Sequence, residues 1–322
     1  MALSDMVVYN EYIKQATIES VCQDIDKFNA ASGGAIVLSA EGFDGDFLMR
    51  NMFGSLESAQ RRVDRYAANG TQAATSLAQI EEKLVKIAGG FGPILWEPSQ
   101  LTWMQQNETL GIEMASKALS EAIIQDQLNS GITAAVAAIS GVAEITLDIS
   151  GTAGISQAAL NNSHALFGDR SSALIAQIMT GASYHKLVGE AITNTNTLFE
   201  AGNITIVGIL NKRIVITDSP ALLVAGTPNV GHSLSLVSGG IVVNNASDLI
   251  TNIVTTNGNE RIETTFQADY AFGLGVKGFA WDEANGGKSP LDAEIATATN
   301  WDKYVSCDKD TAGTLLSFDA DL

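Results

Sequence analysis

TLGIEMASKALSEAIIQDQLNSGITAAVAAI, running from Thr109 to Ile139, is the stretch from which the fold is read. Its apolar residues fall at Ile112, Ala115, Leu119, Ile123, Leu128, Ile132, Val136 and Ile139. Steps of mostly three and four mark one face of a helix. Asn107 stands ahead of it as an N-cap, Glu108 and Glu113 lie near the positive end of the helix dipole, and Gly141 follows as a stop. At 1.5 Å per residue the helix would run roughly 45 Å, longer than most globular helices. Gly131 inside it costs about 1 kcal/mol relative to alanine, which makes it a place for a bend or a break. The second half, ITAAVAAI, has almost no polar side and must be buried on several faces. Such a helix is a spine on which other elements hang.

The second decisive stretch lies near the other end of the chain. From Glu260 to Phe272, Ile262, Thr264, Phe266, Ala268, Tyr270 and Phe272 alternate with Arg261, Glu263, Thr265, Gln267 and Asp269. This is period two, and at about 3.3 Å per residue it predicts a strand of roughly 43 Å. A very long helix and a very long strand imply an extended, plate-like subunit.

Between and around them the pattern is weaker. Tyr9, Tyr12, Ile13, Ile18, Val21 and Ile25 give a mixed helical pattern, followed by a loop at Ala31 to Gly34 and an apolar run from Ala35 to Leu38. Leu56 to Ala67 reads as a polar helix ending at Asn69-Gly70, and Leu77, Ile80, Leu84 and Ile87 as a helix with one narrow apolar seam ending at Gly89-Gly90. Arg61, Arg62 and Arg65 gather in the first of these, either as a solvated face or as partners for acidic groups on another chain. After the spine, Ala173 to Met179 has the length of a buried strand, although Ser171-Ser172 could equally cap a short helix. ITIVGI (204–209) and RIVIT (213–217) read as strands, the second closed by Asp218-Ser219-Pro220. HSLSLVSGGIVV (232–243) reads as a hairpin turning at Gly239-Gly240. From Trp281 the tail mixes a Gly-rich loop, a short Ala-rich helix and a final strand through Leu315-Leu316.

Composition bounds the function. The chain has 322 residues, of which 46% are hydrophobic, enough for a real core and, by length, about two domains. Neither a secretion signal nor a membrane-spanning run is read, and Cys22 and Cys307, far apart, suit two free thiols in a reducing compartment. The net charge of -18 argues against binding to nucleic acid or anionic membrane, while also being what a soluble cytosolic protein can carry for solubility alone.

Motifs for chemistry are thin. Gly273-Leu-Gly-Val-Lys-Gly278 spells G-x-G-x-x-G after a strand, but a dinucleotide site needs a helix opening at the third glycine, and Phe279-Ala280-Trp281 reads as another strand. His164, His185 and His232 are isolated and read as core or surface histidines. Ser32, Ser183 and Ser238 lack a nucleophile elbow, and Asp44-Gly45-Asp46 reads as a turn, not a calcium loop. No catalytic, cofactor-binding or metal-binding residue is nominated, and the reading is a protein that is not an enzyme.

Taken in order, these elements resemble the major capsid protein of tailed bacteriophages, the coat fold shared with herpesvirus shells. The resemblance runs from about Asn107 to the end. It is carried by Phe167-Gly168-Asp169 after the long helix, the apolar run Ala173 to Met179, and Tyr184 with Leu187. Arg213-Ile214-Val215-Ile216-Thr217-Asp218 followed by Pro220 continues it, then Trp281, Ser289-Pro290 and Asn300-Trp301. The resemblance implies an α+β subunit of the Hong Kong 97-type capsid fold. Its parts would be an N-terminal arm (1–45), an extended loop region (46–95), a peripheral domain (96–168, with the spine at 109–139, and again 256–322) and an inserted, mainly axial domain (169–255). It implies self-assembly into hexamers and pentamers that form an icosahedral or prolate head around double-stranded DNA, without sequence-specific DNA contact or a membrane. Portal, scaffolding and decoration proteins would be partners, and assembly would take place in the host bacterial cytoplasm. Arg61, Arg62 and Arg65 would be inter-subunit contacts. An encapsulin-like cellular shell, or a soluble nucleotide-binding enzyme built on the glycine run, are the alternatives.

Overall fold

The computed structural model describes residues 3–39, 45–53, 60–68, 70–71, 79–96, 108–193, 212–245, 249–258, 260 and 262–322. The spine is one unbroken helix, α2 (Glu108–Ser140). Leu119, Ile123, Ile132 and Ile139 of the apolar seam are buried, and so are Ala134, Ala135, Ala137 and Ala138 of the all-apolar half. The helix does not break at Gly131. A Cβ there would stand 3.0 Å from Ile241 Cγ2, so the glycine lets the helix approach a strand closely. Asn107 lies outside the described residues.

Helix α1 (Leu3–Ser32) packs along α2 through Val21 and Ile25. It ends where Gly33 and Gly34 take positive φ, and the chain enters β1 (Ile36–Ser39). Asn29 fixes that corner by exchanging side-chain hydrogen bonds with the backbone N–H and C=O of Leu38.

The larger sheet is centred on the long strand, here β11 (Glu263–Val276). Along one edge it pairs antiparallel with β3 (Gln79–Trp96). Along the other it pairs first with β10 (Ile250–Thr256) and then with β9 (Ile241–Asn245), which carries β1 in parallel. β2 (Phe47–Phe53) continues the sheet from β3, and β12 (Phe279–Trp281) with β13 (Trp301–Lys303) closes the far side. The alternation holds as read, with Thr264, Phe266, Ala268, Tyr270 and Phe272 buried and Gln267 and Asp269 exposed. Ile262 departs from it, exposed ahead of the strand, and Arg261 lies outside the described residues. From Ala271 onward every residue of β11 is buried, because both faces of the strand are covered there.

The second sheet runs β4 (Thr146–Ile149), β14 (Gly313–Asp319), β8 (Val230–Val237), β5 (Leu174–Met179), β6 (Arg213–Ile216), with β7 (Leu223–Val224) beside β8. One face meets the end of α2 through Leu234, Leu236 and Leu315. The other meets α3 (Gln157–Ala165) and α4 (Gly181–Thr193) through Leu160, Leu187, Met179, Leu316 and Phe318. The tail adds two single-turn helices, α5 (Glu283–Gly286) and α6 (Asp292–Ile295).

Three expectations are corrected. The segment carrying Leu84 and Ile87 is strand β3, not a helix. Leu84 and Val85, adjacent in sequence, are both buried, which is what a strand covered on both faces produces. Gly89 and Gly90 do not stop it; a Cβ at Gly89 would touch the Tyr270 ring at 2.9 Å, so the glycine admits that ring. Residues 60–67 of the supposed polar helix have no regular structure and are exposed. Gly239-Gly240 does not close a hairpin, because β8 and β9 belong to different sheets and the turn carries the chain from one to the other. ITIVGI and Leu77 lie outside the described residues.

Candidate functional site

β3 changes partner along its length. From Gln79 to Val85 it pairs with β2, and from Val85 to Trp96 with β11. The β2–β3 hairpin therefore continues past the last pair with β11, Val85 with Leu274, by six residues or roughly 20 Å. Its base is tied down by Lys83, whose Nζ lies 2.7 Å from Glu283 Oε2 and 4.2 Å from the centre of the Phe47 ring. The hydrogen bond from Lys83 holds the Glu283 carboxyl below the usual carboxylate range, and Lys288 adds a second cation at 3.7 Å. Asp282 caps the turn that presents Glu283, accepting from the Ala284 N–H.

Beyond the hairpin the chain carries Arg61, Arg62 and Arg65 on one exposed segment, with Tyr66 93% exposed and Val63 66% exposed. The Tyr66 N–H donates to Asp64 Oδ1 at 2.9 Å in a local turn, and the three arginines are exposed. None of the three has a carboxylate partner among the described residues. An exposed Val63 between Arg62 and Arg65, with Tyr66 next to them almost fully exposed, is poor design for a free surface and good composition for an interface.

The other candidates resolve into structure. His164 is buried, with Nε2 3.0 Å from both Gln177 Oε1 and Ser235 Oγ, and burial lowers its pKa. Gln177 in turn donates to Ser233 Oγ at 2.7 Å, so the serines that alternate with leucines along β8 satisfy a buried polar seam under α3. His185 is exposed beside the Tyr184 ring, edge-on. Sequence reading missed one row: Asp148, Ser317 and His232 stand side by side on β4, β14 and β8. His232 Nδ1 lies 3.0 Å from Ser317 Oγ, which invites comparison with a hydrolase triad. However, the Asp148 carboxylate accepts from Ser150 N–H and Oγ, and Ser317 is buried in mid-sheet, so the row acts as cross-strand packing.

The glycine run is the β11–β12 hairpin: Val276 pairs with Phe279, Gly278 takes positive φ at the turn, and a strand follows where a dinucleotide site requires a helix. Gly275 faces Leu84, whose Cγ would lie 2.5 Å from a Cβ there. Gly45 of the acidic turn has positive φ, Asp44 lies outside the described residues, and both cysteines are free. Among the described residues no cluster of metal-ligating side chains occurs, and no helix is long and apolar enough to cross a membrane.

Comparison with known proteins decides between the remaining readings. The family model described as major capsid protein 13-like matches residues 5–315. The chain belongs to the Gp13-like major capsid protein family. Among solved structures it is similar to the capsid subunit of cyanophage Pam1, at 9% identity and a TM-score of 0.52 over 88% of each chain. The acid-stable capsid of Helicobacter pylori bacteriophage KHP30 is also similar, at 9% identity and a TM-score of 0.49, over 88% of this chain and 87% of that one. Among curated proteins, no sequence matches. The first structure fixes the fold as Hong Kong 97-type α+β, and the family match gives a capsid-forming protein whose role is structural. In this major capsid protein the α2 spine, the long β11 and the projecting hairpin are parts of a shell subunit, and self-association is its function.

Proposed function

We propose that this major capsid protein encloses a double-stranded DNA genome in a phage head, and that the β2–β3 hairpin with Arg61, Arg62 and Arg65 makes contacts between its subunits. The hairpin carries the second part: a segment whose three arginines have no carboxylate partner among the described residues, with an exposed Tyr66, needs a partner surface. The segmentation that goes with it keeps residues 1–45 as arm and 46–95 as extended loop. Residues 96–168 and 256–322 are the peripheral domain, and 169–255 the mainly axial one.

Ring closure of this kind uses heterologous contacts, with flexible segments taking up the difference between rings of five and six. The net charge of -18 fits a wall that does not hold its cargo tightly. Assembly in the host cytoplasm, and portal, scaffolding and decoration proteins as further partners, belong to the same proposal. The test is purification of native particles followed by nuclease treatment. Protected double-stranded DNA supports the proposal; particles that lack DNA and carry a co-purifying enzyme overturn it in favour of a cellular compartment.

A further inference from the structure

Asparagine is followed by glycine at Asn69-Gly70, Asn257-Gly258 and Asn285-Gly286. Asparagine is a thermolabile side chain, and a following glycine has no Cβ to keep its backbone nitrogen from the asparagine carboxamide. The fold then decides which pair is free to react. Asn69 lies outside the described residues, and the other two pairs are held differently.

Asn285 and Gly286 close the single turn α5. The Gly286 N–H donates to the Asp282 carbonyl at 2.8 Å, and Asn285 Nδ2 donates to Asp282 Oδ2 at 2.5 Å. Gly286 is buried against Trp281, whose Cζ2 would lie 2.2 Å from a Cβ there. Nitrogen and carboxamide are both committed, although Asn285 itself is exposed. Asn257 and Gly258 instead follow the last pair of the β10–β11 ladder, Thr256 with Glu263, and both are exposed. Gly258 takes φ +107° with nothing within 4 Å of where its Cβ would stand. Among the described residues, neither its N–H nor the Asn257 carboxamide has a hydrogen-bond partner.

We infer that Asn257 is a site of spontaneous deamidation in the folded chain, driven by the Gly258 nitrogen, and that the fold protects Asn285 from the same reaction. The Gly258 nitrogen gives its proton to hydroxide or a buffer base and bonds to Asn257 Cγ. The Cγ–Nδ2 bond breaks, Nδ2 leaves as ammonia, and a succinimide ring closes. Water opens it. Cleavage of the new bond to Cγ gives aspartate; cleavage of the bond to the backbone carbonyl carbon gives isoaspartate, with a longer main chain. Either product adds a negative charge to a loop that already carries Glu260, with Glu263 at its foot. In a shell that charge would accumulate with age at one place on every subunit. This consequence rests on the capsid reading; the chemistry does not.

The experiment holds the purified full-length protein in mildly alkaline buffer, natively and in guanidinium chloride. Mass spectrometry follows both peptides, and an isoaspartate-specific methyltransferase assay follows the rearranged product. In the native protein Asn257 should convert and Asn285 should remain. In denaturant, where α5 is lost, Asn285 should convert as well. Mildly acidic buffer should slow both, because the attacking nitrogen must lose its proton. Gly258→Ala should slow conversion at Asn257 several-fold and leave native Asn285 as it was. Asn257 intact in the native protein, whether or not it converts in denaturant, overturns the inference. So does native conversion of Asn285 as fast as that of Asn257, or an undiminished rate in the Gly258→Ala variant.

Discussion

The Tyr270 hydroxyl donates to Asp126 Oδ2 at 2.6 Å, tying the long strand to the spine helix across 144 positions of sequence. Phe91 and Phe272 stack on either side of the tyrosine ring, and Gly89 gives the ring its space. Burial raises the Asp126 carboxyl above its ordinary 3.8, with Asp292 adding to the rise and the Tyr270 hydrogen bond opposing it. Burial, and then Asp126, push the Tyr270 phenol far above its usual range.

From this pair the sign of a pH effect follows. A carboxyl whose folded value is raised stabilises the fold fully below the unfolded value near 3.8, and that contribution is lost as pH rises through the folded value. Asp126→Asn keeps an acceptor for Tyr270 and has no charge to desolvate, so at pH 7 it should be as stable as the wild type or more so. Tyr270→Phe leaves the carboxylate without its donor and should cost about 1–3 kcal/mol. Urea unfolding of the isolated subunit at pH 4 and pH 7 measures both; an Asp126→Asn variant clearly less stable at pH 7 contradicts the assignment.

His164 and His232 have the opposite dependence. Burial lowers both, so the unfolded chain takes up the protons first as pH falls. Their contribution is intact above the ordinary value of 6.5 and declines below it, toward the lowered folded values. Thermal unfolding between pH 7.5 and 5.5 should show this decline, and His164→Gln should reduce it. An identical slope in the variant would remove His164 as a source.

At Gly131 two effects of similar size oppose each other. Alanine gains about 1 kcal/mol of helix propensity. It also places a methyl 3.0 Å from the buried Ile241 Cγ2. Gly131→Ala should therefore be near neutral, and Gly131→Val destabilising by about 1–3 kcal/mol through overpacking. Equal stability of the two variants would mean that the helix does not press on β9 here.

Gly275→Ala tests the glycine run. A Cβ 2.5 Å from Leu84 Cγ predicts a loss of about 1–3 kcal/mol. Leu84→Ala alone should cost about 2–5 kcal/mol, and the pair less than the two costs added, because the second change vacates the space the first one fills. Strict additivity would show that the two side chains do not meet.

The two long elements were legible because each is one-sided over many turns or pleats: the seam of α2 from Leu119 to Ile139, and the alternation of β11 from Thr264 to Phe272. β3 was not, because Ile80, Leu84 and Ile87 happen to fall at helical steps. What decides the matter is Val85, buried between its pairing partners Phe47 on β2 and Leu274 on β11, the second almost 200 positions away. The turn at Gly239-Gly240 has hairpin chemistry, yet where its strands pair is set by β1, β11 and β14, which no local pattern announces. The arginine cluster was visible by composition. Its place beyond a projecting hairpin, anchored by Lys83 on Glu283, was not.

That anchor makes a local prediction. Lys83→Met removes the ion pair and the cation over Phe47, and hydrogen exchange of the β2 amides should quicken while that of β11 stays as it was. Equal protection of β2 in both proteins would show that the hairpin holds its direction without Lys83.

The central claim is that this chain builds a closed shell from many copies of itself, and the native mass and shape of the purified protein test it most directly. Light scattering with negative-stain microscopy should find hollow particles of megadalton mass. A stable monomer or dimer under conditions permissive for assembly would contradict the account.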